Sequence, residues 1–225
     1  MERQPSDQRS ISEQSVKIPV GPVSLEGILA IPTGAQAIVL FAHGSGSGRF
    51  SPRNSFVARE LQRGGIATLL VDLLTEDEAS DRRLVFDISL LAERLAKITD
   101  WLKQSQSTRG MKIGYFGAST GAAAALLVAA RPNSPVSAIV SRGGRPDLVL
   151  SELPKVKAPT LLIVGGNDEP VVSLNRQAYA ALRSPKEMVI IPGATHLFEE
   201  PGALEEVARL AREWFRHHLV EHASN

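Results

Sequence analysis

Ala37-Ile38-Val39-Leu40-Phe41-Ala42 is apolar at every position. A strand with one wet face alternates apolar and polar residues; an unbroken run predicts a strand covered on both faces. Short runs of similar character recur at residues 66–71, 111–116, 136–140, 160–164 and 188–191. Between them the apolar residues fall at helical spacing. Phe56, Val57 and Leu61 form one such set, and Leu84, Ile88, Leu91, Leu95, Ile98 and Leu102 form a long one. An alanine-rich stretch at 122–130, a segment at 174–182 and a last one from Pro201 to about Leu219 complete the series. Strands alternating with helices require parallel strands, crossover connections and helices on both faces. The predicted class is therefore α/β.

Upstream, Val16, Ile18 and Val20 alternate with polar residues, as do Leu25, Gly27, Leu29 and Ile31 after the turn at Gly21-Pro22. This predicts an antiparallel hairpin at a sheet edge. Neither a repeat nor a linker interrupts the pattern, so a single domain is expected over 15–220, with polar tails at 1–14 and 221–225. Composition narrows the function. A net charge of +1 offers no basis for nucleic-acid or anionic-membrane binding. The absence of cysteine excludes disulfides, thiolate metal sites and a cysteine nucleophile. With no apolar stretch long enough to span a bilayer, a cytoplasmic protein is expected.

Gly117-Ala118-Ser119-Thr120-Gly121 lies between the strand at 111–116 and the alanine-rich helix. A serine on a sharp strand-to-helix turn is lifted out of the sheet, and the flanking glycines avoid collisions with neighbouring backbone. This is the nucleophile elbow pattern, although a helix-capping serine also fits. Sites of open parallel sheets lie at the carboxyl ends of the strands. Two further ends carry candidates: Asp168 in Gly165-Gly166-Asn167-Asp168, and His196 in Gly193-Ala194-Thr195-His196. Histidine takes the serine proton because its pKa lies near working pH, and a carboxylate holds the correct tautomer. Serine, aspartate, histidine is also the chain order of hydrolases that carry this elbow.

An oxyanion requires backbone N–H donors. Thr120, just after the serine at a helix N-terminus, is one candidate. Ser45 is the other, with Gly46 second, in His43-Gly44-Ser45-Gly46-Ser47-Gly48, where glycine lets backbone approach a ligand. Gly44 and Arg142 are the candidate substrate-binding residues. Arg142, in Ser141-Arg142-Gly143-Gly144-Arg145, is expected just past a strand end, where it either holds an acidic substrate group or pairs with a carboxylate such as Asp72. Glu169 is the reserve acid, and Asp72 is an acid only in a variant layout. Asp147 fits a turn or helix start, and Glu199 and Glu200 suit the positive end of the final helix. His217, His218 and His222 are not arranged for a metal, and Trp101 and Trp214 fit core positions.

Together, His43-Gly44-Ser45-Gly46, Gly117 to Gly121, Gly165 to Asp168 with Val171, and Gly193 to His196 resemble the α/β-hydrolase superfamily along nearly the whole chain. The short length and the run from Phe116 to Ala130 resemble the dienelactone hydrolase family. That resemblance implies a mostly parallel sheet of about eight strands and hydrolysis of an ester or lactone without cofactor or metal. By position it makes Ser119 the nucleophile, Asp168 the acid and His196 the base. Dienelactone hydrolases proper carry cysteine at the elbow, where this chain has Ser119. Some serine-bearing relatives resemble a hydrolase domain joined to a phosphoribosyltransferase domain. Only residues 141–159 separate two strands where related enzymes insert a cap, so no large cap and an open, shallow pocket for small soluble substrates are expected. Thioesterase, peptidase or perhydrolase chemistry with the same triad, or a non-catalytic binding protein on the same fold, remain alternatives.

Overall fold

The computed structural model describes residues 10–221. Its eight strands are β1 (Ile11–Val20), β2 (Val23–Pro32), β3 (Ala37–Ala42), β4 (Ala67–Val71), β5 (Lys112–Ala118), β6 (Val136–Arg142), β7 (Thr160–Gly165) and β8 (Lys186–Ile191). They form one sheet in the order β1-β2-β4-β3-β5-β6-β7-β8. The β1–β2 hairpin is antiparallel and joins β4 antiparallel, whereas β4 through β8 run parallel. Every residue of β3, β4 and β7 is buried, as strands covered on both faces require.

Six α-helices connect the strands among the described residues, α1 (Pro52–Arg63), α2 (Glu76–Ser80), α3 (Arg82–Val85), α4 (Ile88–Gln104), α5 (Thr120–Ala129) and α6 (Glu169–Ala181), and α7 (Ala203–Phe215) follows the last strand. Helices α1 and α7 pack together on one face, over Val39, Phe41, Ala138 and Val140. Helices α4 and α5 pack together against the other face, over Leu40, Leu69, Tyr115 and Ile139. A 3₁₀ stretch, Pro146–Lys155, is all that lies between β6 and β7 apart from short turns, so no large cap covers the sheet. Burying both faces of the parallel strands against helices is the main source of stability, because each apolar side chain withdrawn from water contributes about 1.5–3 kcal/mol.

The elements depart from expectation in four places. Strand β1 begins at Ile11, inside the segment expected to be a polar tail. Its first residues are exposed and held by backbone pairing, Ile11 opposite Pro32 and Gln14 opposite Leu29, which leaves no apolar signature. Residues 1–9 and 222–225, and with them His222, lie outside the described residues. The long helix expected from Leu84 to Leu102 is two, because Asp87 accepts from the Leu90 N–H and caps a new helix at Ile88. The acidic stretch before it contains α2, started by a capping box in which Thr75 and Glu78 satisfy each other's backbone N–H. Pro201 precedes the last helix, which starts at Ala203 after Gly202.

Candidate active site

Strand β5 delivers the chain to Ser119, and α5 begins at the next residue. Ser119 has φ 50° and ψ −121°, a conformation that costs a residue with a Cβ of order 1–3 kcal/mol. Neighbours compel it. A Cβ on Gly121 would sit 2.1 Å from the Ala42 carbonyl oxygen, and one on Gly117 would sit 2.5 Å from the Ala122 Cα. With side chains excluded there, β3, β5 and α5 close on one another and the serine stands at their junction. Its backbone is also tied to the β6 end: the Ser119 N–H donates to the Arg142 carbonyl at 3.3 Å, and the Arg145 N–H donates to the Ser119 carbonyl at 3.1 Å.

The loops after β7 and β8 are bonded together. Asn167 donates its backbone N–H to the Ala194 carbonyl and its side-chain amide to the Gly193 carbonyl, both at 2.9 Å. This brings His196 Nδ1 to 2.7 Å from Asp168 Oδ2. A proton on Nδ1 donates to the carboxylate and leaves Nε2 as a base. The ring packs over Gly143, where a Cβ would lie 3.5 Å from His196 Nδ1, and so stands beside the elbow. Ser119 Oγ makes no hydrogen bond to His196 here; contacts of this kind tighten on substrate binding. Glu169 is exposed in the first turn of α6 and does not meet the ring.

The loop after β3 reaches the elbow from the other side. A Cβ on Gly44 would lie 2.9 Å from the Ser119 Cβ, so Gly44 is in contact with the serine. Gly44 to Ser47 form a turn closed by the Ser47 N–H on the Gly44 carbonyl at 3.2 Å, with Ser45 exposed on it and Gly46 at φ 69°. Buried His43 fixes the loop's origin. Its Nε2 accepts from the Leu73 N–H at 3.0 Å and its Nδ1 donates to the Gly44 carbonyl at 2.9 Å, which requires the neutral ring. Burial lowers its pKa, against smaller upward pulls from the Gly44 bond and Asp72. Asp72 holds the far end of the loop: it accepts from the Arg49 N–H and pairs with the Arg49 guanidinium, which also pairs with Glu26. Asp72 is therefore neither a partner of His196 nor a counter-ion of Arg142. Sequence reasoning passed over Arg49 and treated His43 only as part of a glycine-rich run.

A cavity of about 510 Å³ opens beside the loop, reaching from Thr120 and Ser45 to Leu25, Leu74, Val85 and Leu91. That volume is in the range of small-molecule sites. Residues of α2, α3 and the start of α4 line its far side. Arg142 also differs from expectation: it is the last residue of β6, its side chain is buried, and no carboxylate meets it among the described residues. Arg145 instead pairs with Asp147 through two bonds of 2.9 and 2.8 Å. Glu199 pairs with Arg53 at 3.2 Å. Trp214 is buried and Trp101 half-buried, as core positions should be. Among the described residues no cluster of acids and histidines is arranged to hold a metal, and no helix is long and apolar enough to cross a membrane.

Strained serine, aspartate-bound histidine and glycine-rich loop meet at the ends of β5, β7, β8 and β3, and residues 25–219 match the dienelactone hydrolase family. The chain belongs to that family. It is 59% identical to a crystallised dienelactone hydrolase from Anabaena variabilis, covering 93% of this chain and 99% of that one with a TM-score of 0.91. It is also 53% identical, over 93% of its length, to a putative phosphoribosyl transferase of Mycobacterium tuberculosis. The match covers 47% of that protein, so this chain spans about half the length of the curated relative. A cold-adapted esterase from an Arctic intertidal metagenomic library shares the fold at 17% identity, with a TM-score of 0.73 over 95% of this chain and 96% of the other. The family is named for a hydrolase, and the esterase shows that this chain's fold recurs at low sequence identity.

Proposed function

We propose that this family member is a serine hydrolase that cleaves small carboxylic esters or lactones through an acyl-enzyme. The carrying observation is the 2.7 Å Asp168–His196 bond beside a serine held at positive φ on the elbow. Ser119 Oγ attacks the carbonyl carbon while His196 Nε2 takes its proton, and Asp168 stabilises the imidazolium that forms. The N–H of Thr120, at the positive end of α5, and that of Ser45 hold the oxyanion. Gly44 places its backbone against the substrate. Collapse expels the alkoxide, which takes the proton from His196. Water then attacks the acyl-enzyme with His196 again as base, releasing the acid and restoring the Ser119 hydroxyl. No step calls for a cofactor, and a cytoplasmic setting fits the cysteine-free sequence.

A fluorophosphonate probe tests the nucleophile. It should label Ser119 in the native protein and nothing in Ser119→Ala, while kcat on small aryl esters falls by about 10⁴ to 10⁶. Hydrolysis at the native rate by folded Ser119→Ala protein would overturn the reading.

A further inference from the structure

The cavity of about 510 Å³ lies on one side of the elbow only. Gly44, Ser45 and Thr120 line its elbow end, and among the described residues neither His196 nor any residue of β6, β7 or β8 lines it. At its other end stand Leu25 of β2, Leu74 after β4, Val85 of α3 and Leu91 of α4. The three leucines are buried and Val85 is half-buried. Protein interiors leave few voids larger than a water molecule, so an apolar space of this size opening on the elbow is room for a ligand.

The helical wall of this space is tied down. Glu78 of α2 accepts the Thr75 N–H at 2.9 Å with one carboxylate oxygen and Arg94 Nη2 at 2.7 Å with the other. Arg94 is buried one turn beyond Leu91 on α4, so this charge-assisted bond joins α2 to the helix that closes the far end. A wall held in this way gives the cavity a set length before any ligand enters. Its charged lining disfavours one class of ligand. One cation, Arg49, stands with three carboxylates, those of Glu26, Asp72 and Glu76, and Arg49 is already paired with the first two. An anionic group would meet an excess of like charge there.

Proton transfer decides which half of an ester enters. His196 gives its proton to the leaving oxygen, so the leaving group lies on the β6–β8 side of the serine. The carbonyl oxygen faces the N–H groups of Thr120 and Ser45. The remaining substituent on the carbonyl carbon is the acyl chain, which runs past those donors and away from His196, where the cavity begins. We propose that the cavity is the acyl pocket, and that Leu25, Leu74, Val85 and Leu91 select uncharged aliphatic acyl chains of medium length. The assignment rests on the serine-hydrolase reading above and narrows it to a substrate class.

The test measures kcat/KM for para-nitrophenyl acetate, butanoate, hexanoate, octanoate and dodecanoate, which share one leaving group. From acetate to hexanoate the native value should rise about three- to fourfold for each methylene buried, and it should fall again by dodecanoate, which outruns the cavity. Mono-para-nitrophenyl adipate, a hexanoate ended by a carboxylate, should be at least about tenfold poorer than the hexanoate. Val85→Trp, on the half-buried wall, should bring the hexanoate-to-acetate ratio toward one, and Val85→Ala should move the optimum to a longer chain. Each ratio is taken within one protein, so a smaller folded fraction does not imitate the effect. A flat series in the native enzyme, a series unchanged by Val85→Trp, or an adipate as good as the hexanoate overturns the proposal. So does a Val85→Trp effect confined to a series of alkyl acetates, since the cavity then holds the leaving group. Should no ester be turned over, the hydrolase reading fails by itself. Calorimetry of octanamide with the native protein then decides the cavity: binding that Val85→Trp abolishes sustains it, and binding that is absent or unaffected overturns it.

Discussion

The elbow divides its surroundings into two flanks that use the same residue types in opposite ways. On the β3–β4 side, Arg49 is neutralised by Asp72 and Glu26, and His43 is buried, neutral and bonded through both ring nitrogens. On the β6–β8 side, Arg142 has no acid partner among the described residues, and His196 is bonded through one nitrogen and keeps the other open. One aspartate on each flank completes the contrast: Asp72 holds a loop, whereas Asp168 holds a histidine. On the first flank Arg49, Asp72 and His43 are bonded to one another's surroundings and hold the loop after β3 in place. The second leaves one ring nitrogen of His196 open and the buried Arg142 guanidinium without an acid partner among the described residues, and open groups of this kind are what chemistry and binding require.

The largest test sets the two aspartates against each other. Asp168→Asn should lower kcat by about 10⁴, because the wrong histidine tautomer is then held toward the serine. Asp72→Asn should cost at most about 10²-fold, the effect of one displaced oxyanion donor. Glu169→Gln should stay near the native rate. If Glu169→Gln were the crippling change, the acid would be its neighbour and the contrast between flanks would collapse.

Next come the two arginines, read by urea denaturation. Arg49→Gln strips the charge partner from Asp72 and Glu26 and should cost roughly 1–2 kcal/mol. Arg142→Gln removes a buried cation without a partner and should leave stability unchanged or raised. A loss from Arg142→Gln as large as that from Arg49→Gln would mean that Arg142 is a structural anchor.

The smallest effect belongs to His43. Its folded pKa lies below the ordinary 6.5, so the unfolded chain binds the extra proton. Its contribution is present above pH 6.5 and is lost as pH falls below it, with a slope of at most about 1.4 kcal/mol per pH unit. Denaturation midpoints measured across that range should lose this slope in His43→Gln. An unchanged slope would show that the loop's origin is not held by a neutral ring.

Local patterning determined much of this protein. Apolar runs without alternation, helical spacing between them and the glycines around Ser119 follow from short-range sterics and burial. They placed the sheet, the elbow and the three strand ends carrying Ser119, Asp168 and His196 in their order along the chain. Their roles as nucleophile, acid and base are a chemical reading of those positions. Tertiary structure decided who pairs with whom. Arg49 meets Asp72 across 23 residues and Arg53 meets Glu199 across 146, and such partners depend on how loops from distant strands converge. Arg142 looked like a residue past a strand end because nothing local reveals that β6 runs two residues beyond Val140 and aims its last side chain into the core. The break at Asp87 and the first pairs of β1 escaped for a related reason. A capping hydrogen bond competes with a continuous apolar spacing, and backbone pairing at a sheet edge needs no apolar side chains at all. Sequence carries the periodicities that build the scaffold, whereas the balance of charge around the site exists only once the strand ends have been brought together.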